Sequence, residues 1–146
     1  MNFNQKDLFA TEPKLLAVDY ECLQDHNLNW VPYEVAVVSE SEEIILHSYI
    51  SDASRAIDVK SFNPMSLAKR GIDRDLIQTG RSQRELMPIF KRIYSGNIIL
   101  GHNIKNDELK IPGAYDYAKS TICTMERMNN VYPGEIRQFG KQYKCK

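Results

Sequence analysis

The stretch Leu15-Leu16-Ala17-Val18-Asp19-Tyr20-Glu21 decides the fold, because a short apolar run ends directly in two acidic residues. Four consecutive apolar residues of this kind indicate a buried central strand. Side chains two apart on a strand leave the same face, so Asp19 and Glu21 would lie side by side as the strand ends. The stretch therefore predicts a core strand that carries a pair of carboxylates.

Further apolar runs predict the rest of a sheet. Two of them flank the polar turn Ser39-Glu40-Ser41-Glu42, which predicts a hairpin. The strands predicted after the first are 33–38, 43–50, 97–100 and 120–125. With the intervening helices, the order is strand, hairpin, helix, strand, helix, strand. This order predicts an α/β fold in which helices pack on a mixed five-stranded sheet.

The clearest helix signal follows residue 81. Ser82 and Glu85 have the spacing of a capping box, and Gly96 stands where a C-terminal cap belongs. Between them, apolar residues recur at helical spacing: Leu86, Ile89, Phe90 and Ile93. Pro88 is expected to kink this helix or to shift its start. Weaker signals predict a short helix at 65–69 and another from Lys105 to just before Pro112.

Length and composition predict one domain over residues 1–146, with an uncertain tail at 129–146. The 19 basic and 19 acidic residues cancel, so the net charge carries no basic footprint of the kind that binds phosphate directly. Phosphate bound through divalent cations would instead require carboxylates. Three cysteines without a CxxC pair, and no long apolar run, predict a soluble cytoplasmic protein without a membrane partner.

Three acid-x-acid pairs occur in the chain, at Asp19/Glu21, Glu40/Glu42 and Asp73/Asp75. The last two fall in predicted turns or loops, where solvated surface charge is the simpler interpretation. The first pair follows a buried strand. Two adjacent carboxylates there repel each other unless a cation bridges them, and Mg²⁺ and Mn²⁺ prefer such oxygen ligands. Exposed strand-end charge is the alternative.

A second polar cluster, Gly101-His102-Asn103-Ile104-Lys105-Asn106-Asp107, follows the fourth predicted strand. The carboxyl ends of strands are where open α/β sheets place their sites. Asp107 would project from the first turn of the next helix. The alternative is that Asn103 and Asp107 merely cap that helix. Gly101 permits either close approach of a ligand or a tight turn.

Taken together, the two clusters resemble the DnaQ-like DEDD 3′→5′ exonuclease family of the ribonuclease H-like superfamily. Val18-Asp19-Tyr20-Glu21 is similar to its first motif, and the cluster from Gly101 to Asp107 resembles its second. The segments Lys69-Arg70-Gly71-Ile72-Asp73 and Thr121-Ile122-Cys123-Thr124-Met125 are similar to the family in the same order. The resemblance covers about residues 14–128.

The resemblance implies a ribonuclease H-like fold and a metal-dependent exonuclease that removes nucleotides from the 3′ end of single-stranded DNA or RNA. Asp19, Glu21 and Asp107 would hold two Mg²⁺ or Mn²⁺ ions. The residues nearest the terminal nucleotide would be Tyr20, Cys22, His102 and Asn103. Of these, His102 and Asn103 would shape the loop. Strand alternation favours a core position for Tyr20, and a strand cysteine such as Cys22 is more often a packing residue.

The third family motif, H-x-x-x-x-D or Y-x-x-x-D on a C-terminal helix, has no counterpart after the second motif. The histidines are His26, His47 and His102. The sequence therefore predicts that the closing helix is missing. Three explanations stay open: a longer gene product, a partner that completes the site, or loss of catalysis with retention of nucleic-acid or protein binding.

Overall fold

The computed structural model describes residues 12–25, 27–57 and 71–131. These residues form five strands, a 3₁₀ turn at Ser51–Ala53 and five helices. The strands are β1 (Leu15–Gln24), β2 (Trp30–Ser39), β3 (Ile44–Tyr49), β4 (Ile98–Gly101) and β5 (Ser120–Cys123). The helices are α1 (Ser54–Ile57), α2 (Arg74–Gln78), α3 (Gln83–Tyr94), α4 (Ile104–Lys110) and α5 (Thr124–Val131).

The five strands form one sheet in the order β3-β2-β1-β4-β5. β1 pairs antiparallel with β2, and β2 pairs antiparallel with β3, so the predicted hairpin is confirmed. β1 pairs parallel with β4, and β4 pairs parallel with β5. The predicted α/β class, with a mixed five-stranded sheet and flanking helices, is confirmed. The central strand β1 joins the antiparallel half to the parallel half.

The strand β1 buries alternate side chains, because successive residues of a strand point to opposite faces. Leu16, Val18 and Tyr20 are buried, whereas Ala17, Asp19 and Glu21 are exposed. The buried side chains join a core cluster with the buried residues of α3, which are Leu86, Phe90 and Tyr94. The acidic pair is therefore held on the face opposite to this core.

The helix α3 begins as the sequence predicts. Ser82 is its N-cap, and the reciprocal capping box with Glu85 is present. The helix runs through Pro88 from Gln83 to Tyr94, so the predicted alternative of a later start is wrong. The capping box provides hydrogen-bond partners for backbone N–H groups at the helix start, before the proline. The helix therefore begins at Gln83 despite Pro88. Gly96 follows the last turn with a φ of 74°, the left-handed backbone conformation that ends many helices.

The segment before α3 is more regular than its sequence indicates. Asp73 was predicted to be solvated loop charge, but its side chain accepts hydrogen bonds from the backbone N–H groups of Asp75 and Leu76 and so caps α2. Neither α1 nor α2 exceeds five residues, too few to show a helical period. The helix predicted at 65–69 and the tail at 132–146 lie outside the described residues. No helix in the described ranges is long and apolar enough to cross a membrane.

Candidate metal and nucleic-acid site

The pairing of β1 with β4 brings the two polar clusters together. Val18 lies opposite Gly101 in the parallel register, so β4 ends beside the middle of β1, which continues to Gln24. Asp19 and His102 are the next residues along their chains. Although 80 positions separate Glu21 from Gly101 in the sequence, the acidic residue Asp19 lies close to the point where β4 ends and the polar loop begins.

The loop after β4 turns sharply into α4. A Cβ atom at Gly101 would lie 2.7 Å from Cγ1 of Ile104, so a larger residue would require the Ile104 side chain or its helix to shift. Asn103 has a φ of 60° and no side-chain hydrogen bond to the helix N-terminus, which argues against the side-chain capping role considered for it. Nδ1 of His102 lies 2.9 Å from Oγ1 of Thr124. This contact ties the loop to the start of α5, as expected of residues that shape a loop.

Two of the residues predicted to contact the nucleotide lie away from the carboxylate face of β1. Tyr20 is only 8% exposed and belongs to the core, as strand alternation predicts. Its side chain therefore leaves little surface for a nucleotide, which favours the core position over a substrate contact. Cys22 is partly buried and packs against the same core, and burial raises the pKa of its thiol. The packing interpretation of both residues fits the structure.

Asp107 is a buried carboxylic acid, unlike the exposed Asp19 and Glu21. Burial raises its pKa from 3.8 to about 6, because the charged form loses hydration. Lys110 opposes this shift, whereas the negative charges of Asp19 and Glu108 add to it. The influence of Asp19 shows that the first and third predicted ligands lie within electrostatic reach of each other. Asp107 is thus a titratable group whose charge depends on its neighbours.

The raised pKa of Asp107 has a measurable consequence for stability. Its carboxyl holds a proton more tightly in the folded than in the unfolded chain, so its contribution to stability is complete below about pH 4 and is lost as the pH rises through about 6. In EDTA, we expect the stability of the wild type relative to Asp107→Asn to fall by about 1–2 kcal/mol between pH 4.5 and 7. Urea denaturation of both proteins at the two pH values measures this change. If the stability difference between the wild type and Asp107→Asn does not vary with pH, the raised pKa of Asp107 is contradicted.

Three buried tyrosine hydroxyls surround the inner side of Asp107. The hydroxyl oxygens of Tyr20, Tyr94 and Tyr115 have no partner with hydrogen-bonding geometry among the described residues. Burial raises the pKa of all three, and the charge of Asp107 raises each pKa further. The hydroxyls also affect one another's pKa, so they lie close together. Asp107 therefore lies within electrostatic reach of three neutral phenols and of Asp19.

The donor atoms near the end of β4 are of the type that binds a divalent cation. Asp19, Glu21 and Asp107 supply carboxylate oxygens, the ligands that Mg²⁺ and Mn²⁺ prefer. The electrostatic effect of Asp19 on Asp107 also favours a metal site, because a cation shared by two neighbouring carboxylates removes the repulsion between them. However, no three His, Cys, Asp or Glu side chains of the described residues are close enough to hold one ion. The side chains fit a metal by chemistry and would have to move towards it.

One contact of Asp107 was missed from the sequence. Nζ of Lys110 lies 3.5 Å from Oδ1 of Asp107, and both side chains are almost buried, at 11% and 8% exposure. The spacing of three residues on a helix places such a pair on one face, so the spacing could have identified it. The family resemblance drew attention to the acidic residues alone. The cation that Asp107 contacts in the structure is therefore a lysine of its own helix.

Comparison with known proteins gives a likeness in structure alone. No family model and no curated protein sequence matches the chain. Among solved structures, an ExoI/SSB-Ct complex is similar with a TM-score of 0.60, 17% identity and 92% of this chain covered. E. coli Exonuclease I in complex with a dT13 oligonucleotide is similar with a TM-score of 0.57, 18% identity and 90% covered. Exonuclease I (apo) has a TM-score of 0.60 and 17% identity over 92% of this chain.

These structures share the fold of the described chain but are much longer. The match covers 32% of the first two chains and 33% of the third, so this chain spans about a third of their length. At such low identity, the likeness establishes the arrangement of strands and helices. It does not establish the chemistry of individual side chains, which has to be argued from the site itself.

Proposed function

We propose that the chain is a metal-dependent 3′→5′ exonuclease domain of the DnaQ-like DEDD type, which acts on single-stranded DNA or RNA. The observation that supports the proposal is that the acidic pair on β1 lies beside the end of β4, from which the polar loop leads to Asp107. Asp19 stands in the middle of β1, next to the end of β4 and the loop that leads to Asp107, and its charge raises the pKa of Asp107. A structural role would not require the chain to place these like charges together.

In this proposal, Asp19, Glu21 and Asp107 hold Mg²⁺ or Mn²⁺. Two such ions, when bound, activate a water molecule and stabilise the leaving 3′ oxygen. Asp107 enters the site deprotonated, so a binding metal ion must displace the proton that its raised pKa favours. His102 holds the loop in place through Thr124, and the tight turn at Gly101 sets the start of α4. These residues position Asp107 and leave the chemistry to the carboxylates.

The substrate class is proposed from the structural neighbours. Exonuclease I was solved in complex with dT13 and with dA16 oligonucleotides, and both structures share the fold of this chain with a TM-score of 0.57. Single-stranded nucleic acid is therefore the substrate to test first. The neutral net charge of the chain is compatible with this, since bound cations would meet the phosphates.

The test follows shortening of a 5′-labelled single-stranded oligonucleotide, as DNA and as RNA. We expect stepwise loss of 3′ mononucleotides with Mg²⁺ or Mn²⁺, none in EDTA, and none when a 3′ phosphate blocks the end. Asp19→Asn should lower the rate at least about tenfold, which corresponds to about 1.4 kcal/mol of lost transition-state stabilisation. Glu40→Gln, an exposed turn carboxylate, is the matched control and should keep the wild-type rate. Equal rates for Asp19→Asn and the wild type would refute the proposal.

A binding module without catalysis is the second candidate. It is favoured by the absence, among the described residues, of three side chains placed to hold one ion. This candidate predicts retention of a labelled oligonucleotide without shortening, even at saturating Mn²⁺. Shortening that depends on Asp19 would exclude it.

A further inference from the structure

The ammonium group of Lys110 pairs with the buried carboxylate of Asp107. Its side chain is 11% exposed, and its Nζ is 3.5 Å from Oδ1 of Asp107. Lys110 also lowers the pKa of the Cys22 thiol, both by its charge and by a hydrogen bond. The ammonium therefore lies within reach of Asp107 on its own helix and of Cys22 on β1.

A buried ammonium loses hydration and is stable only when anions replace the lost water. Asp107 is the anion in contact, and Asp19 and Glu108 add negative charge nearby. Removing either partner would leave an uncompensated charge. Lys110 is therefore the counter-ion of Asp107 and comes from the same helix. Without it, the carboxylate would bind a cation from solution.

We propose that Lys110 is a built-in counter-cation of Asp107, and that it competes with divalent metal for this carboxylate and sets the metal affinity of the site. The inference rests on the proposed function, because it assigns Asp107 to a metal site. A divalent ion and an ammonium cannot both contact Oδ1 at short range without strong repulsion. Metal that reaches Asp107 must displace Lys110, and this exchange weakens binding.

The geometry allows the exchange. A lysine side chain has a flexible four-carbon stem, so the ammonium can leave Asp107 without a change in the helix backbone. In the absence of metal, the lysine keeps the buried carboxylate compensated. Full engagement of Asp107 thus requires enough metal, or metal with bound substrate, to displace the lysine.

The experiment measures Mn²⁺ affinity directly, by electron paramagnetic resonance of free Mn²⁺ and by calorimetry, without reference to activity. We expect Lys110→Met to bind Mn²⁺ at least about tenfold more tightly than the wild type. Lys105→Met is the matched control, because it removes the same charge from the same helix at an exposed ion pair with Glu126, 3.1 Å away. Its affinity should stay within about twofold of the wild type.

Two further variants keep the result interpretable. Lys110→Gln, which can still hydrogen-bond to Asp107, tests the same prediction if Lys110→Met does not fold. Combining Lys110→Met with Asp107→Asn should abolish the gain in affinity, since the competition is for that carboxylate. Unchanged or weaker Mn²⁺ binding by Lys110→Met, or by Lys110→Gln in its place, would overturn the inference while the proposed nuclease stands. No Mn²⁺ binding by the wild type or by any variant would overturn both.

Discussion

Phe90→Ala is expected to lower the free energy of unfolding by about 3–5 kcal/mol. Phe90 is fully buried in the core, on the face of α3 that packs against the sheet. Its ring stacks on Tyr94 with centroids 5.2 Å apart and planes at 5°. Truncation removes these contacts and leaves a cavity that neighbouring strands cannot close, because the sheet holds their backbones in place.

Urea denaturation in EDTA measures the effect of Phe90→Ala. The matched control is Arg92→Ala, an exposed residue of the same helix, which should change stability by less than about 0.5 kcal/mol. The melting temperature should fall in parallel. A loss below about 1 kcal/mol would mean that α3 does not pack on the sheet as described.

Gly80→Ala is expected to cost about 3 kcal/mol, at the upper end of what overpacking causes. A Cβ atom at Gly80 would lie 2.2 Å from the backbone oxygen of Tyr49, at the end of β3. That oxygen accepts a hydrogen bond of 3.1 Å from the backbone N–H of Arg81. The clash can be relieved only if backbone atoms move. That movement breaks the hydrogen bond between β3 and the segment before α3.

The control for Gly80→Ala is Gly96→Ala. Gly96 has open space around its Cβ position but a φ of 74°, so alanine there should cost only about 1–2 kcal/mol from backbone strain. Chemical denaturation of both variants compares the two costs. Equal costs would show that the close approach at Tyr49 is absent in solution.

Much of the fold follows from local patterns in the sequence. The apolar run before Asp19, the polar turn at Ser39 and the capping box at Ser82 each predict an element that the structure contains. Such signals are local because strand alternation, turn preference and capping depend on neighbouring residues. Where the pattern is short, as in α1 and α2, the sequence predicts loop instead. Packing on neighbouring elements, which no local window contains, stabilises those helices.

The candidate site divides in the same way. The sequence by itself determined which acidic residues follow apolar runs and family-like motifs, namely Asp19, Glu21 and Asp107. Only the tertiary structure decided that Asp107 is buried and paired with Lys110, and that the hydroxyl of Tyr20 lies within its electrostatic reach. The physical reason is that hydration and charge pairing depend on which groups meet in space. The pairing of β1 with β4 sets that meeting across more than 80 residues of chain.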